Sequence, residues 1–291
     1  MQMKDARARS DVDDAGADVA PIPYAWADWP MPNPPMSGLP NPQSYDSSEI
    51  PDVVIDNVTQ LKWQRKVENV TFTWSDAVSY CENFMLGGET WRLPTRIELL
   101  SIIDYTQPGP VIDTNVFPGT PSERFWSASP FADGPADAWS VHFGFATTIA
   151  NTTEKANAYR ARCVAQRSEA QAQRYTSQGG TVYDSLTKLT WQKEVPEASY
   201  AWKEAGDFCT ALDLDGTGWR LPSVSELQTL VDETKSNPAI DLNTFPGTPS
   251  EYFWTSSVLP RFTSYVWTVY FGFGLSTFFD VNQSRHVRCV R

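Results

Sequence analysis

Two glutamates at equivalent positions could supply a general acid. Glu98 and Glu226 each end the same eight-residue stretch, Trp-Arg-Leu-Pro-(Thr or Ser)-x-x-Glu, which starts at Trp91 and again at Trp219. A carboxyl held against apolar residues can donate a proton in catalysis. However, Thr or Ser followed three residues later by Glu, ahead of an apolar stripe, is a capping box that begins a helix. We therefore interpret both glutamates as structural.

The arginines of the same stretch could bind a carboxylate ligand. Because each stands between Trp and Leu-Pro in both copies, we predict that they bond a carboxylate or carbonyls inside the fold. The stretch as a whole then serves structure. The residues assigned to this role are Trp91, Arg92, Glu98, Trp219, Arg220 and Glu226.

Metal and cofactor sites are not indicated. Residues 213–216, Asp-Leu-Asp-Gly, are similar to part of a calcium loop but lack its further carboxylates and bidentate Glu. The two histidines, His142 and His286, are not equivalent, and no C-x-x-C motif occurs. No Ser/His/Asp order, P-loop or dinucleotide fingerprint is present. We expect no catalytic residue, no metal and no cofactor.

The four cysteines fall in equivalent pairs, Cys81 with Cys163 and Cys209 with Cys289. Four cysteines allow three pairings, and the duplication favours one bridge within each half, Cys81–Cys163 and Cys209–Cys289. Four buried thiols are the alternative. A loop of about 80 residues would restrict the unfolded chain by roughly 4–5 kcal/mol. Disulfides indicate an oxidising compartment, and we expect an extracellular or cell-surface location. The N-terminus shows no signal peptide.

Most of the chain after residue 51 is a duplication with a spacing of 128 positions, as between Trp91 and Trp219, which drops by two near the end. The match includes ten tryptophans, which could stack on sugars but are first expected in the cores. These tryptophans are Trp63, Trp74, Trp91, Trp126, Trp139, Trp191, Trp202, Trp219, Trp254 and Trp267. The period is too long for a solenoid. Two homologous domains in tandem are predicted, at 52–166 and 181–291, with a linker at 167–180.

The composition limits the classes of partner. The chain has 291 residues, of which 41% are hydrophobic, and a formal net charge of −12. Nucleic-acid binding needs clustered Lys and Arg, so neither nucleic acid nor strong polyanion binding is expected. A membrane-spanning helix needs a run of about 18 apolar residues, and the sequence contains no such run.

Within the first domain, strands are predicted at 53–56 and 61–64, a helix from Trp74 to Gly87-Gly88, and a second helix from Thr95 to about Tyr105. Short strands follow at 125–127, 139–145 and 159–165, with loops at 106–124, 128–137 and 150–157. The second domain repeats this plan. Residues 1–51 are predicted to be a disordered leader and a Pro/Trp-rich arm, packed on its own first domain or docked on a neighbour.

The ordered motifs resemble one bacterial domain family. They are Asp-x-x-Thr-x-Leu-x-Trp-Gln, Trp-x-x-Ala-x-x-x-Cys, Trp-Arg-Leu-Pro, Phe-Trp-(Ser or Thr) and Arg-Cys-Val, and both repeats carry them. The family is named after the C-terminal domain of the Legionella collagen-like adhesin. This resemblance implies an α+β, C-type-lectin-like fold with two short helices and a small, mostly antiparallel sheet per domain. It also implies an exported protein that acts in adhesion or ligand binding.

Function is expected where the two repeats differ. The loops 128–137 and 256–265 differ most, followed by 149–152 and 277–280. Exposed aromatic residues on such loops suit contacts with proteins or glycans. The candidate ligand-binding residues are Phe131, Asp133, Asp137, Arg261, Phe262, Tyr265, Phe278 and Phe279.

Three hypotheses follow. The leading one is a non-enzymatic surface binding or adhesion protein, whose partner is a protein or glycan on a surface, or copies of itself. The second is a structural subunit of a surface fibre joined by the arm. The third is an enzyme related to the formylglycine-generating and sulfatase-modifying proteins, which share the Arg-Leu-Pro-Thr-x-x-Glu segment and need reactive thiols or copper.

Overall fold

The structure is a computed structural model that describes residues 27, 29–144, 150–166 and 174–291. The first domain has two short helices and eight strands. In chain order they are β1 (Tyr45–Asp46), β2 (Val53–Asp56), β3 (Lys62–Gln64), α1 (Trp74–Glu82), β4 (Trp91–Arg92), α2 (Arg96–Ser101), β5 (Arg124–Phe131), β6 (Gly134–His142), β7 (Ala150–Glu154) and β8 (Val164–Ala165).

The second domain repeats these elements, except that its last segment forms isolated β-bridges instead of a strand. Its elements are β9 (Tyr175–Gln178), β10 (Thr181–Asp184), β11 (Thr190–Gln192), α3 (Trp202–Ala211), α4 (Val224–Gln228), β12 (Tyr252–Val258), β13 (Tyr265–Tyr270) and β14 (Leu275–Asp280). Val290 bridges both Trp191 and Arg220, where the first domain has the strands β8 and β4.

Each domain contains two antiparallel sheets. In the first domain the order β1-β2-β3-β8-β4 brings both ends of the domain into one sheet, and β5-β6-β7 forms the other. In the second domain the orders are β9-β10-β11 and β12-β13-β14. The predicted α+β fold, with two tandem domains of short helices and small antiparallel sheets, is confirmed.

A disulfide lies at the centre of one core in each domain. Cys81 pairs with Cys163 and Cys209 with Cys289, at sequence separations of 82 and 80 residues. Each bridge ties the first helix of its domain to the last segment. Trp91 and Trp126 pack around the first bridge, and Trp219 and Trp254 around the second. The predicted pairing is correct, and eight of the ten repeat tryptophans are buried; Trp74 and Trp202 are half-buried.

A third core joins the two domains to each other and to the arm. It contains Ile97 and Leu100 from α2, Leu227 from α4, and Trp29 and Met31 from the arm. The arm also donates a hydrogen bond from Gln43 Nε2 to the Ile103 carbonyl at 2.9 Å. The arm therefore packs on its own chain over residues 29–43. Residues 1–26, including most of the predicted leader, lie outside the described residues.

Several predicted boundaries are wrong, chiefly because strand pairing extends beyond the apolar runs. Residues 128–137, predicted as a loop, form most of the hairpin β5–β6, in which an irregular register between Trp126 and Pro130 accommodates the proline. The predicted loop at 150–157 contains strand β7, and the predicted loop at 277–280 lies within strand β14. Only 259–264 of the predicted loop 256–265 lies outside strands.

Other elements are shorter or differently placed than predicted. Helix α1 ends at Glu82, before Gly87-Gly88, and α2 ends at Ser101, well before Tyr105. In the predicted strand 159–165 only Val164–Ala165 is a strand. Residues 175–178, predicted as linker, form β9 and pair with β10, while 167–173 lie outside the described residues.

Candidate functional site

The two glutamates that could have been acids are fully engaged in the helix starts. Glu98 Oε2 accepts from the Thr95 backbone N–H and from Arg92 Nη1, each at 2.7 Å, and Oε1 accepts from Arg92 Nη2. Glu226 makes the same bonds to Ser223 and Arg220. Both capping boxes are complete. The prediction that these residues are structural agrees with these contacts.

The domain-one hairpin tip lies against the second domain. The ring of Phe131 meets the ring of Phe273 with centroids 5.5 Å apart and also touches Trp139. Asp133 Oδ1 accepts a 2.5 Å hydrogen bond from Ser236 Oγ. Asp137 lies in β6 and is half-buried. Phe131 and Asp133, two of the candidate ligand-binding residues, therefore contact the other domain of the same chain.

The domain-two hairpin tip is exposed instead. Its turn is closed by backbone bonds from Phe262 N–H to the Leu259 carbonyl and from Tyr265 N–H to the Phe262 carbonyl. Arg261 has a positive φ of 69°, a conformation that turns the chain sharply. Phe262 is 58% exposed and Tyr265 36% exposed, while Leu259 at the start of the turn is buried. The tip presents an arginine and two aromatic rings to solvent.

The two candidate phenylalanines of β14 lie on opposite faces of the sheet, because side chains alternate along a strand. Phe278 pairs with Trp267 and packs edge-on against Tyr265, with centroids 5.7 Å apart. Phe279 pairs with Val266, contacts Tyr252 and lies under the Arg285 guanidinium. We define the tip patch as Arg261, Phe262, Tyr265 and Phe278. Phe279 does not lie on the same face.

The interface between the domains carries residues that the sequence reasoning missed. Arg96 Nε donates to Glu233 Oε1 at 2.9 Å, Arg96 Nη1 donates to the Gly274 carbonyl at 2.6 Å, and the guanidinium lies over Trp139. On the other side, the ring of Tyr105 packs edge-on against Trp267. The signal was available as unequal residues at equivalent positions: Arg96 matches Val224, and Tyr105 matches Glu233.

A cleft of about 580 Å³ lies between the arm, the first domain and the second domain. Pro34 and Leu39 of the arm, Tyr105 of the first domain and Arg220 of the second line it. The arm is fixed beside this cleft by a 2.6 Å hydrogen bond from Ser223 Oγ to Asn33 Oδ1. This cleft could not be predicted from the sequence, because its walls come from three segments that are distant along the chain.

One buried arginine in each domain holds the last segment in place without a carboxylate partner among the described residues. Arg162 donates to the carbonyls of Gln64 and Arg65 and to Thr120 Oγ1, and Arg288 makes the equivalent three bonds. Burial lowers the pKa of Arg162 to about 9, and that of Arg288 likewise. Both therefore remain cations at neutral pH, stabilised by carbonyl dipoles and ring faces.

Comparison with known protein families matches residues 52–165 and 180–291 to the Lcl C-terminal domain. The chain belongs to this family. A search of curated proteins found no match. The resemblance inferred from the ordered motifs is thus confirmed, with two Lcl C-terminal domains in tandem.

The described parts of the two Lcl C-terminal domains contain no group of three His, Cys, Asp or Glu residues that could hold a metal ion. No described helix is both long and apolar enough to cross a membrane. All four cysteines of the chain are in the two disulfides.

Proposed function

We propose that this protein is an exported, non-enzymatic binding protein of the adhesion type, and that it contacts its partner through the tip patch of the second domain. The observation that carries the proposal is the difference between the two hairpin tips. The first is covered by the second domain through Phe131 and Asp133, whereas the second exposes Arg261, Phe262 and Tyr265. Aromatic residues and arginine supply most of the energy at protein interfaces.

The partner is a protein or a glycan on a surface. Planar rings with an adjacent guanidinium suit stacking on sugars or on apolar side chains, with hydrogen bonds at the edge. Because the net charge is −12, the protein offers few cationic groups to which a polyanion could bind. Two disulfides in a chain of this size favour an oxidising, extracellular location.

The two alternative functions have weaker support. A fibre subunit would use the arm between molecules, yet residues 29–43 pack on their own chain through Trp29, Met31 and Gln43. Thiol chemistry of the formylglycine-generating kind would need a free cysteine, and both pairs are bridged. Binding by an exposed tip remains the function that the geometry supports best.

The test uses the full chain, fluorescently labelled, on printed arrays of glycans and extracellular matrix proteins. The triple variant Arg261→Ala, Phe262→Ala, Tyr265→Ala should lose at least about tenfold in affinity for any hit of the wild type. Met85→Ala is the matched control, because Met85 is 88% exposed but lies in the first domain, outside the tip patch. Unchanged binding by the triple variant, or tight salt-resistant capture on heparin, would refute the tip as the binding site.

A further inference from the structure

A second cleft, of about 430 Å³, lies in the first domain beside the arm. Asp104 and Asp113 line it, together with Ser44, Tyr45 and Gln107. Neither carboxylate forms a salt bridge within the described residues. Asp104 accepts hydrogen bonds from Thr106 and from Gln107 Nε2, and Asp113 accepts one from the Asn115 N–H.

The equivalent carboxylates of the second domain bind a cation supplied by the chain itself. At the spacing of 128 positions, Asp232 and Asp241 match Asp104 and Asp113. Lys235 Nζ lies 2.9 Å from Asp232 Oδ2 and 3.9 Å from Asp241 Oδ1. The position of Lys235 is occupied by Gln107 in the first domain, which is neutral. The duplication thus shows what this pair of carboxylates binds when a cation is present: an alkylammonium group.

A second cation is also missing beside the first-domain cleft. In the second domain, Arg174 pairs with the buried Asp184 at 2.7 Å. Strand pairing aligns the two domains here: Tyr45 pairs with Asp56 in the first, as Tyr175 pairs with Asp184 in the second. The residue before Tyr45 is Ser44, which therefore stands at the position of Arg174. Asp56 Oδ2 is buried, and no described residue forms a hydrogen bond with it. The first domain therefore has two fewer positive charges around the same carboxylates.

Tyr45 lies in the wall of this cleft. Its hydroxyl oxygen is inaccessible to solvent and has no hydrogen-bond partner among the described residues. Burial and the nearby charges of Asp56, Asp104 and Asp113 raise the pKa of Tyr45 well above its usual value. Arg65 donates to the Val116 carbonyl at the cleft wall. The second domain has Lys193 at the equivalent position, so this cation does not offset the difference between the domains.

We propose that the first-domain cleft binds a primary alkylammonium group between Asp104 and Asp113, where it displaces the Gln107 amide from Asp104 Oδ2 and takes the position that Lys235 Nζ has in the second domain. An ammonium group has three donors, which the oxygens of the two carboxylates can accept. A metal ion fits less well, because the described residues offer no group of three acidic, His or Cys ligands here. The group belongs either to a free polyamine or to a lysine of a partner protein. This proposal does not depend on the tip patch.

The test is calorimetric titration of the full chain with cadaverine at low salt. The wild type should bind one equivalent. Gln107→Lys installs the second-domain lysine and should weaken cadaverine binding at least about tenfold, as should Asp113→Asn. Gln178→Lys is the charge-matched control, because Gln178 is exposed on β9, and it should bind as the wild type does. Thermal unfolding of each variant checks that the fold is retained.

Two further titrations distinguish the sources of the amine. Spermidine represents a free polyamine, and a lysine-containing peptide is compared with its Nε-acetylated form. Tighter binding of spermidine assigns a polyamine ligand, whereas tighter binding of the peptide, abolished by acetylation, assigns a protein lysine. Absence of cadaverine binding by the wild type, equal binding by Gln107→Lys, or preferential binding of calcium would overturn the proposal.

Discussion

Arg96 of the first domain and Glu233 of the second form a salt bridge of 2.9 Å in which both side chains are buried. The pair lies between α2 and the segment after α4, beside the core that the two domains share. Its equivalents by duplication, Val224 and Tyr105, are uncharged. One half of the interface between the domains is therefore a salt bridge, and the other half is an apolar and aromatic contact. This asymmetry determines which face of each domain contacts the other domain.

Breaking this pair from one side should be costly. Arg96→Val leaves Glu233 buried without its partner, so the free energy of unfolding should fall by about 3–5 kcal/mol. The double variant Arg96→Val, Glu233→Tyr, which copies the residues of the other half, should lose clearly less than the single variant. A double-mutant cycle in denaturant unfolding measures this coupling. Additive losses would show that the two residues do not act as a pair.

The disulfides should contribute equally in the two domains. Their loops differ by only two residues, 82 against 80. Replacing Cys81 and Cys163 with alanine should lower the free energy of unfolding by roughly 4–5 kcal/mol in the loop-entropy treatment, and replacing Cys209 and Cys289 should do the same. Titration of the unfolded, unreduced wild type should find no free thiol. A pair of alanines that left unfolding unchanged would contradict this account.

Local sequence signals were enough for the features that depend on neighbouring residues. The capping boxes of Thr95 with Glu98 and Ser223 with Glu226 were predictable, because their bonds span three positions. The disulfides followed from the duplication. The hairpin β5–β6 was not predicted, because Pro130 and Gly134 are typical of turns, whereas here both lie within paired strands.

The candidate site was predicted only in part, for a related physical reason. Unequal loops drew attention to both hairpin tips, but the sequence does not indicate which tip the other domain covers. Phe131 packs on Phe273 of the second domain, whereas Phe262 remains exposed. Contacts between domains depend on relative placement, which no motif encodes.

Asp56 and Asp184 should respond oppositely to the same substitution. Asp184→Asn leaves the buried Arg174 without its carboxylate and should cost about 3–5 kcal/mol. Asp56 has no such partner, and Asp56→Asn should stay within about 1 kcal/mol of the wild type, on the stabilising side at pH 7. Denaturant unfolding of the two variants measures this contrast. Equal losses would contradict the proposed difference in charge balance.

The pH dependence of the Asp56 variant provides a second check. Burial raises the pKa of Asp56 in the folded state. The folded state then binds this proton more tightly than the unfolded state, so the carboxyl lowers stability as pH rises above the ordinary carboxyl range. The advantage of Asp56→Asn over the wild type should therefore be largest at pH 7 and shrink as pH falls toward 4. An advantage that grows on acidification would have the wrong sign.

The arm should stabilise the pairing of the two domains, because its side chains complete the core that both share. Trp29 is 6% exposed and Met31 2% exposed within that core. Truncating Trp29 to alanine should cost about 3–5 kcal/mol and truncating Met31 about 2–5 kcal/mol, since each leaves a cavity. Met36→Ala is the control, because Met36 lies on the same arm but is 96% exposed.

Deleting residues 1–45 should have a larger effect than either truncation. It also removes the Gln43 bonds to the Ser101 and Ile103 carbonyls at the end of α2, and the Asn33 bond to Ser223. Thermal unfolding measures the loss of stability, and sedimentation measures the oligomeric state. An arm that packs within its own chain predicts lower stability with the oligomeric state unchanged. Unchanged stability with a change in oligomeric state would instead show that the arm acts between molecules, as a fibre subunit requires.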